Sequence, residues 1–425
     1  MTEPALRIAM VTTFYPPYNF GGDGVYVQRL ARALVRRGHH VEVIHDTDGY
    51  RMLSGNDPLE DSPPGPETDE AGVIIHRLRS RLAAPAALAV QQLGRPVAHA
   101  AELRRLLTDR FDVIHFHNIS LVGGPGIWRY GTGVKLHTAH EHWLVCESHI
   151  LWRDNKELCD EKRCIRCALR HKRPPQAWRR TNLIANEAPN VDAFLMLSQS
   201  AADNHRRFGF DAPMTVVPSF LPAEEAAALP PADPAAEIPP YFLFVGRLEI
   251  IKGLQDVIPQ FGPDAPAELW IAGAGEYEGE LRRLAEGKDK VKFLGRQPMD
   301  RLRQLYRDAL AVVTPSACYE VFPMVVLEAF RESAPIVARA LGPYPEIVNG
   351  TGAGLLFDDA AALNQALHRL AANPAEAREM GAKGLRAFEE TWSEDVALAR
   401  YFGIIRDCAE RKGMSELAEK LAASA

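Results

Sequence analysis

Two carboxylates and two cations carry the chemistry that is easiest to read in this chain. Glu320 and Glu328 bracket the start of an apolar helical pattern in Ser316-Ala-Cys-Tyr-Glu320-Val-Phe-Pro-Met-Val-Val-Leu-Glu328-Ala-Phe. The segment follows an apolar strand pattern, AVVTP, and Pro323 fits a first helical turn, where its missing N–H is no loss. Free backbone N–H groups along Phe322-Pro323-Met324-Val325 then make a cradle for a phosphate. Carboxylates repel phosphate, so Glu320 and Glu328 suit hydroxyl donors, such as those of a sugar or a ribose. A second strand end, FVGRLEIIKG, presents Gly246-Arg247 and Lys252-Gly253. Fixed cations there neutralise a diphosphate and stabilise the charge that grows on it as it leaves.

Other strand ends supply weaker signals. LWIAGAGE and VKFLGR place Gly273, Gly275 and Gly295-Arg296 after strands, where small residues let backbone approach a ligand. Gly21-Gly22-Asp23-Gly24 precedes the first helix, and N–H groups there can face an anion or a sugar. After a strand at 133–137, KLHTAHEHWLVC offers His140 and Glu141, with His137 and His142 as rivals for a role beside the reacting atoms. FDVIHFHN ends in His115, His117 and Asn118, which the strand pattern aims into the same cleft.

Glu-x7-Glu in register with Gly-Arg-x4-Lys-Gly resembles the retaining glycosyltransferases of family 4, and the resemblance extends over nearly the whole chain. It implies a GT-B fold: two Rossmann-like, doubly wound α/β domains facing an interdomain cleft. It also implies metal-independent transfer of a hexosyl group from a nucleoside-diphosphate sugar to a glycan, lipid-linked or small-molecule acceptor. Under it Glu320 contacts the donor sugar, Glu328 the ribose, and Arg247 and Lys252 the diphosphate. The loops with Gly246, Gly273, Gly275, Gly295 and Arg296 hold the nucleotide. The Gly22 loop lies close to donor phosphate and acceptor, His140 reaches the donor sugar near the reacting carbon, and His117, Asn118 and Glu141 lie toward the acceptor. The acceptor attacks from the face that the diphosphate leaves, so no carboxylate nucleophile and no catalytic cofactor are implied. The chain departs from the family pattern at Val321, where glycine is usual, at Ala334 before Pro335, and at LGPYPEIV, which lacks a glycine pair.

The elements that must position these residues fall into two similar halves. Strand patterns at 7–13, 41–45, 73–78, 112–116, 133–137, 192–197 and 214–217 alternate with helical ones at about 25–37, 98–109 and 199–208. A second alternation runs from YFLFVG to GLLF, and helical patterns alone follow from about 374. Alternation of this kind gives parallel sheets covered on both faces. The Pro- and Ala-rich residues 221–240 read as the boundary. The domains expected are an acceptor-side domain at 1–225 with a Cys-rich insertion at about 141–180, a nucleotide-sugar domain at 240–390, and helices at 391–425 packing back toward the first domain.

Four cysteines crowd into that insertion, Cys146, Cys159, Cys164 and Cys167, and four thiolates in one loop can satisfy tetrahedral zinc, here in a structural role. Unbound thiols, a disulfide or an iron–sulfur cluster are the alternatives. Asp46-Thr47-Asp48 mimics a metal-binding Asp-x-Asp, but in the half that does not hold the diphosphate cations. Residues 162–180 are basic, with Trp178 among them, and suit contact with anionic lipid. A net charge of −6 gives no general attraction to nucleic acid. No apolar run reaches the length of a membrane span, and the N-terminus lacks a cleavage pattern, so a cytoplasmic protein, peripheral at most to the inner membrane face, is expected. Two other readings compete. Gly273-x-Gly275-x-x-x-Gly279 nearly matches a dinucleotide fingerprint but lacks its spacing and its acidic partner. A non-catalytic nucleotide-sugar or glycan binder would keep the cleft and show no transfer.

Overall fold

The computed structural model describes residues 5–54, 66–223 and 238–422. Most of the Pro- and Ala-rich stretch expected between the halves lies outside them. The first half is built on β1 (Arg7–Thr12), β2 (His40–Asp46), β3 (Pro66–Thr68), β4 (Ile74–Leu78), β5 (Val113–Phe116) and β6 (Val134–Ala139). A small hairpin, β7 (Trp152–Arg153) with β8 (Glu157–Leu158), belongs to the insertion, and β9 (Ala193–Met196) and β10 (Met214–Val216) complete the sheet. Its order is β10-β9-β6-β5-β1-β2-β4-β3, parallel except for β3 on β4. After Arg7, every residue of β1 is buried, as expected of a strand covered on both faces.

The second half repeats the plan with β11 (Tyr241–Val245), β12 (Glu268–Ala272), β13 (Val291–Gly295), β14 (Ala311–Thr314), β15 (Ile336–Arg339) and β16 (Gly354–Phe357). The order is β13-β12-β11-β14-β15-β16, all parallel. Both sheets are therefore doubly wound, and their order reverses between β1 and β5 and between β11 and β14. Ligands bind at such switch points, outside the carboxyl ends of the strands.

The chain crosses between the halves twice, at one place. Phe220 packs in the first core and Leu221 in the second, whereas Trp392 packs on Phe330 before the chain returns at Ser393. Leu221 and Ser393 pair as a bridge, and Glu394 accepts from the amide of Ala223 at 3.0 Å. The helix Glu394–Arg411 then buries Leu398, Tyr401 and Ile405 on the first half. Ion pairs of Arg36 with Glu394 (2.7 Å) and of Lys412 with Asp192 (2.9 Å) fix its ends. Among the described residues no helix is long and apolar enough to cross a membrane.

Candidate active site

The two switch points face each other across a cleft of about 1010 Å³. Residues that follow β1, β5 and β6 line one wall, and residues that follow β11 and β14 line the other.

On the second-half wall, Lys252 Nζ donates to Glu320 Oε1 at 2.6 Å, and Ser316 Oγ donates to the same oxygen at 2.7 Å. Burial alone would push the Glu320 carboxyl up, but the Lys252 ammonium and the Ser316 hydroxyl hold it below the ordinary range. Burial likewise disfavours the charge on Lys252, and Glu320 more than restores it. The pair is thus a fixed cation and a fixed anion at a strand end. Gly253 makes the approach possible: its φ is +76°, and a Cβ there would fall 2.0 Å from the carbonyl oxygen of Pro315. Arg247 reaches into the cleft from a side chain 60% exposed and bonds Glu249 at 2.5 Å. The helix Met324–Arg331 opens beside these groups with Pro323 at its N-cap, and Phe322, Pro323, Met324 and Val325 line the cleft with Gly246.

Four sequence-derived nucleotide residues stand back from this wall. Gly273, Gly275, Gly295 and Arg296 are not among the residues lining the cleft. A Cβ on Gly273 would sit 1.9 Å from the Gly246 carbonyl oxygen and one on Gly275 2.3 Å from that of Leu248. Their small size is therefore already required by the close packing of neighbouring strand-end loops. Glu328 lies on the helix behind Glu320, half-buried, with Tyr306 OH donating to Oε2 at 2.7 Å.

The first-half wall mixes neutral side chains with five charged ones, Asp23, Glu141, Glu147, Lys172 and Arg173. Gly22 starts the helix Gly22–Arg36 and faces the cleft with no atom near a would-be Cβ, so Gly22-Asp23-Gly24 forms its first turn. Asn118 lines the cleft and donates to Asp23 Oδ2 at 3.0 Å. Burial, with Glu141 nearby, raises the Asp23 carboxyl, while Asn118 opposes this. Of the three rival histidines, His140 and His142, after β6, reach the cleft, and His137, within β6, is packed between Trp128 and Phe194. His140 Nε2 and His117 Nδ1 are 3.0 Å apart, so His117 is a buried partner of His140. Burial lowers His140 to about 4 and His117 well below the usual value, which leaves a neutral pair. His115 is bonded to Thr138 and to Tyr401 of the returning C-terminal helix. Burial disfavours the Glu141 charge, but His149 at 2.7 Å and Arg173 keep that carboxyl below its ordinary value.

The sequence reading missed Asp23, Ser316, Tyr306 and Tyr401. Ser316 was legible in hindsight as a hydroxyl four residues before Glu320; the other three depend on tertiary pairing. Val321, the departure from glycine, is buried against Leu197 and Ala201 of the facing half, and its carbonyl accepts from Ser198 Oγ at 2.7 Å. The Glu346 carboxylate of LGPYPEIV accepts from the Gln199 and Ser200 amides, each at 3.2 Å. The valine in place of glycine thus adds an apolar interdomain contact.

The cysteines of the insertion converge enough for Cys159 to feel the other three, and burial pushes its thiol up to about 11. No three of their sulfurs lie within 4.8 Å of one another among the described residues; the set that does meet that spacing is Asp46, Asp48 and His99. That set fits a divalent cation, and within it His99 bonds Asp48 at 3.1 Å. Burial and the Asp48 charge raise Asp46 to about 7. It sits at the end of β2, away from Lys252 and Arg247.

The model of glycosyltransferase family 4 matches residues 20–225, and that of glycosyl transferases group 1 matches residues 228–386. The glycogen synthase of Mycobacterium tuberculosis is 30% identical over 397 residues, covering 88% of each chain. The D-inositol 3-phosphate glycosyltransferase of Pseudarthrobacter chlorophenolicus is 29% identical over 405 residues, covering 89% of each. The solved sucrose-phosphate synthase of Thermosynechococcus elongatus superposes with a TM-score of 0.66 at 22% identity, over 99% of this chain and 100% of that one. With one family model on each half and a relative at 30% identity along nearly its whole length, the chain belongs to the family 4 glycosyltransferases of GT-B fold.

Proposed function

We propose that this nucleotide-sugar-dependent glycosyltransferase moves a hexosyl group to an acceptor hydroxyl with retention at the anomeric carbon. The carrying observation is the Lys252–Glu320–Ser316 network at the switch point, beside the open N-terminus of the helix Met324–Arg331. The diphosphate lies against Arg247, Lys252 and that helix end, where positive charge is already fixed before the glycosidic bond to the leaving oxygen breaks. Glu320 accepts from sugar hydroxyls and keeps Lys252 aligned. Glu328 takes the ribose, and the loops of Gly273, Gly275, Gly295 and Arg296 frame the base. Neutral His140, held by His117, hydrogen-bonds the sugar near the reacting carbon, while Gly22 lies beside the donor phosphate and Asn118 and Glu141 face the acceptor. The acceptor oxygen bonds on the face the diphosphate leaves, and its proton passes to the departing phosphate oxygen.

The acceptor is a glycan or a lipid-linked compound, and the enzyme works in the cytoplasm, in peripheral contact with the inner membrane face. Exposed Ile165 (49%) and Leu169 (60%) among the cations of residues 162–180 support that contact. The converging Cys146, Cys159, Cys164 and Cys167 support a structural zinc that would pin the loop, because partial burial raises the Cys159, Cys164 and Cys167 thiols, which stay protonated unless a metal takes them.

A thermal-shift screen with UDP-, GDP- and ADP-sugars tests the core of this reading, with stabilisation expected from one nucleotide series. Glu320→Ala should fold and lose transfer; a fully active variant would overturn the role given to Glu320. Elemental analysis that finds no zinc in the purified protein would remove the metal.

A further inference from the structure

The acceptor side of the cleft continues beyond its polar groups. Met52 and Leu88 line the cleft and also line a second, shallow groove of about 510 Å³ with Ala84, Pro85, Ala89 and Gln92. The groove lies between the helices Thr47–Ser54 and Ala84–Leu93, and the stretch from Leu82 to Gly94 holds no charged residue. Its leucines are wet: Leu88 is 42% exposed, and Leu53, at the same edge, is 56% exposed. An uncharged helix with leucines on its open face marks a seat for something apolar.

Charge lies next to it. Gln91 Nε2 donates to the Pro174 carbonyl at 2.9 Å, which ties this helix to the loop carrying Lys172 and Arg173. Both cations are exposed at the cleft; Arg173 donates to the Ser148 carbonyl at 3.2 Å and its charge acts on Glu141, and neither cation is in an ion pair among the described residues. A hydrophilic glycan would leave the leucines wet, and an uncharged one would leave Lys172 without an opposite charge. A ligand that uses both must have an anionic head and an apolar chain.

We infer that the acceptor is an anionic amphiphile, with its phosphate or carboxylate head at Lys172 and Arg173 and its alkyl or prenyl chain in the Met52–Leu88 groove. The inference rests on the glycosyl-transfer reading and narrows its acceptor. Butyl, octyl and dodecyl phosphate, each below its micellar concentration, are titrated into the full chain by calorimetry. Affinity is expected to rise at least about tenfold from butyl to octyl, since each buried methylene adds severalfold. Leu88→Gln, a change at an exposed position, should abolish most of that gain and leave butyl phosphate unchanged. Lys172→Gln with Arg173→Gln should weaken all three alike. Affinity independent of chain length, or a Leu88→Gln protein that keeps the gain, overturns the inference. If Leu88→Gln impairs only binding to phosphatidylglycerol vesicles, the groove is a membrane face and the inference also falls. UDP and GDP are titrated in parallel: a failure of every nucleotide to bind defeats the glycosyl-transfer reading, whereas nucleotide binding with a flat chain-length series defeats this inference alone.

Discussion

The two walls of the cleft recognise by different means. The second-half wall sets opposite charges on strand ends: Lys252, Glu320 and Ser316 share one short network, braced by a glycine pressed against Pro315. The first-half wall offers neutral histidines, an amide and an apolar edge, and takes most of its charged groups, Glu141, Glu147, Lys172 and Arg173, from an insertion. A diphosphate carries much the same charge whatever sugar it bears, so its site can be built once from fixed ions. Acceptors vary, and a wall that combines shape, neutral hydrogen bonds and a few charges at its edge can distinguish them.

The largest test of that contrast is removal of the donor-side cation. Lys252→Ala leaves Glu320 buried without its counter-charge and the leaving diphosphate without its nearest ammonium. Turnover should fall by about a thousandfold, the scale seen when a preorganised electrostatic group is lost. Single-turnover rates at saturating donor measure it. A variant within tenfold of the parent would show that the wall does not act through fixed charge.

Two glycines sharpen the same comparison. Gly253→Ala forces a Cβ to within 2.0 Å of Pro315 O at a φ of +76°, so unfolding free energy should drop by about 2–4 kcal/mol. Gly22→Ala meets nothing within 4 Å, so stability should stay within about 0.5 kcal/mol and only substrate binding should suffer. Urea denaturation of the two variants, followed by donor and acceptor KM values for Gly22→Ala, checks both.

Acid should separate the halves. Of 14 histidines, only His368 lies beyond His205. Burial holds His45 and His137 to about 3, and His140 and His205 to about 4. Between these values and the unfolded value near 6.5 the unfolded chain binds more protons than the folded one. Stability is therefore intact above about pH 6.5 and falls as pH drops toward 4, by roughly 1.4 kcal/mol per unit for each such histidine. Asp46, raised to about 7, works in the opposite direction with the raised Asp23 and His99, but these three groups stand against seven lowered histidines, His45, His115, His117, His137, His140, His142 and His205. Hydrogen exchange at pH 5 against pH 7 should show protection lost first around β5 and β6; equal loss around β11 and β14 would refute it.

These contrasts also explain what the sequence could show. Strand and helix patterns recovered both sheets except the short, exposed antiparallel edge strand β3, because a strand buried on two faces is a plain apolar run, as in β1 and β14. The donor wall was legible because its residues are local: Ser316, Glu320 and the helix start lie within nine positions, and Arg247 and Lys252 within six. The first helix was read as starting near Val25, because Gly22-Asp23-Gly24 resembles a loop; a Cβ on Gly24 would lie 3.0 Å from the Phe14 carbonyl oxygen, and that requirement is tertiary. The helices Thr47–Ser54 and Ala84–Leu93 went unread for a similar reason. The first follows a strand without a break, and the second lacks the polar face that makes a helix periodic. His117 looked like an acceptor contact at a strand end, and only the fold makes it the partner of His140.

The smallest predicted effect concerns Glu328 and tests whether the donor side extends beyond its charged network. Tyr306 OH donates to Glu328 Oε2 at 2.7 Å, and the Tyr306 ring is fully buried in the second-half core. Burial and the Glu328 charge both raise the phenol, so it remains a donor at any working pH. Tyr306→Phe keeps the ring and deletes that one hydrogen bond, worth about 1 kcal/mol or roughly fivefold in an affinity. If Glu328 grips the ribose, nucleotide affinity should weaken by about that factor while acceptor KM stays unchanged. Weakening should be seen for UDP as well as for UDP-sugar, because the ribose is common to both. A Tyr306→Phe protein that loses only stability, with nucleotide affinity intact, would return Glu328 to a purely structural role and confine the donor grip to Lys252, Arg247 and Glu320.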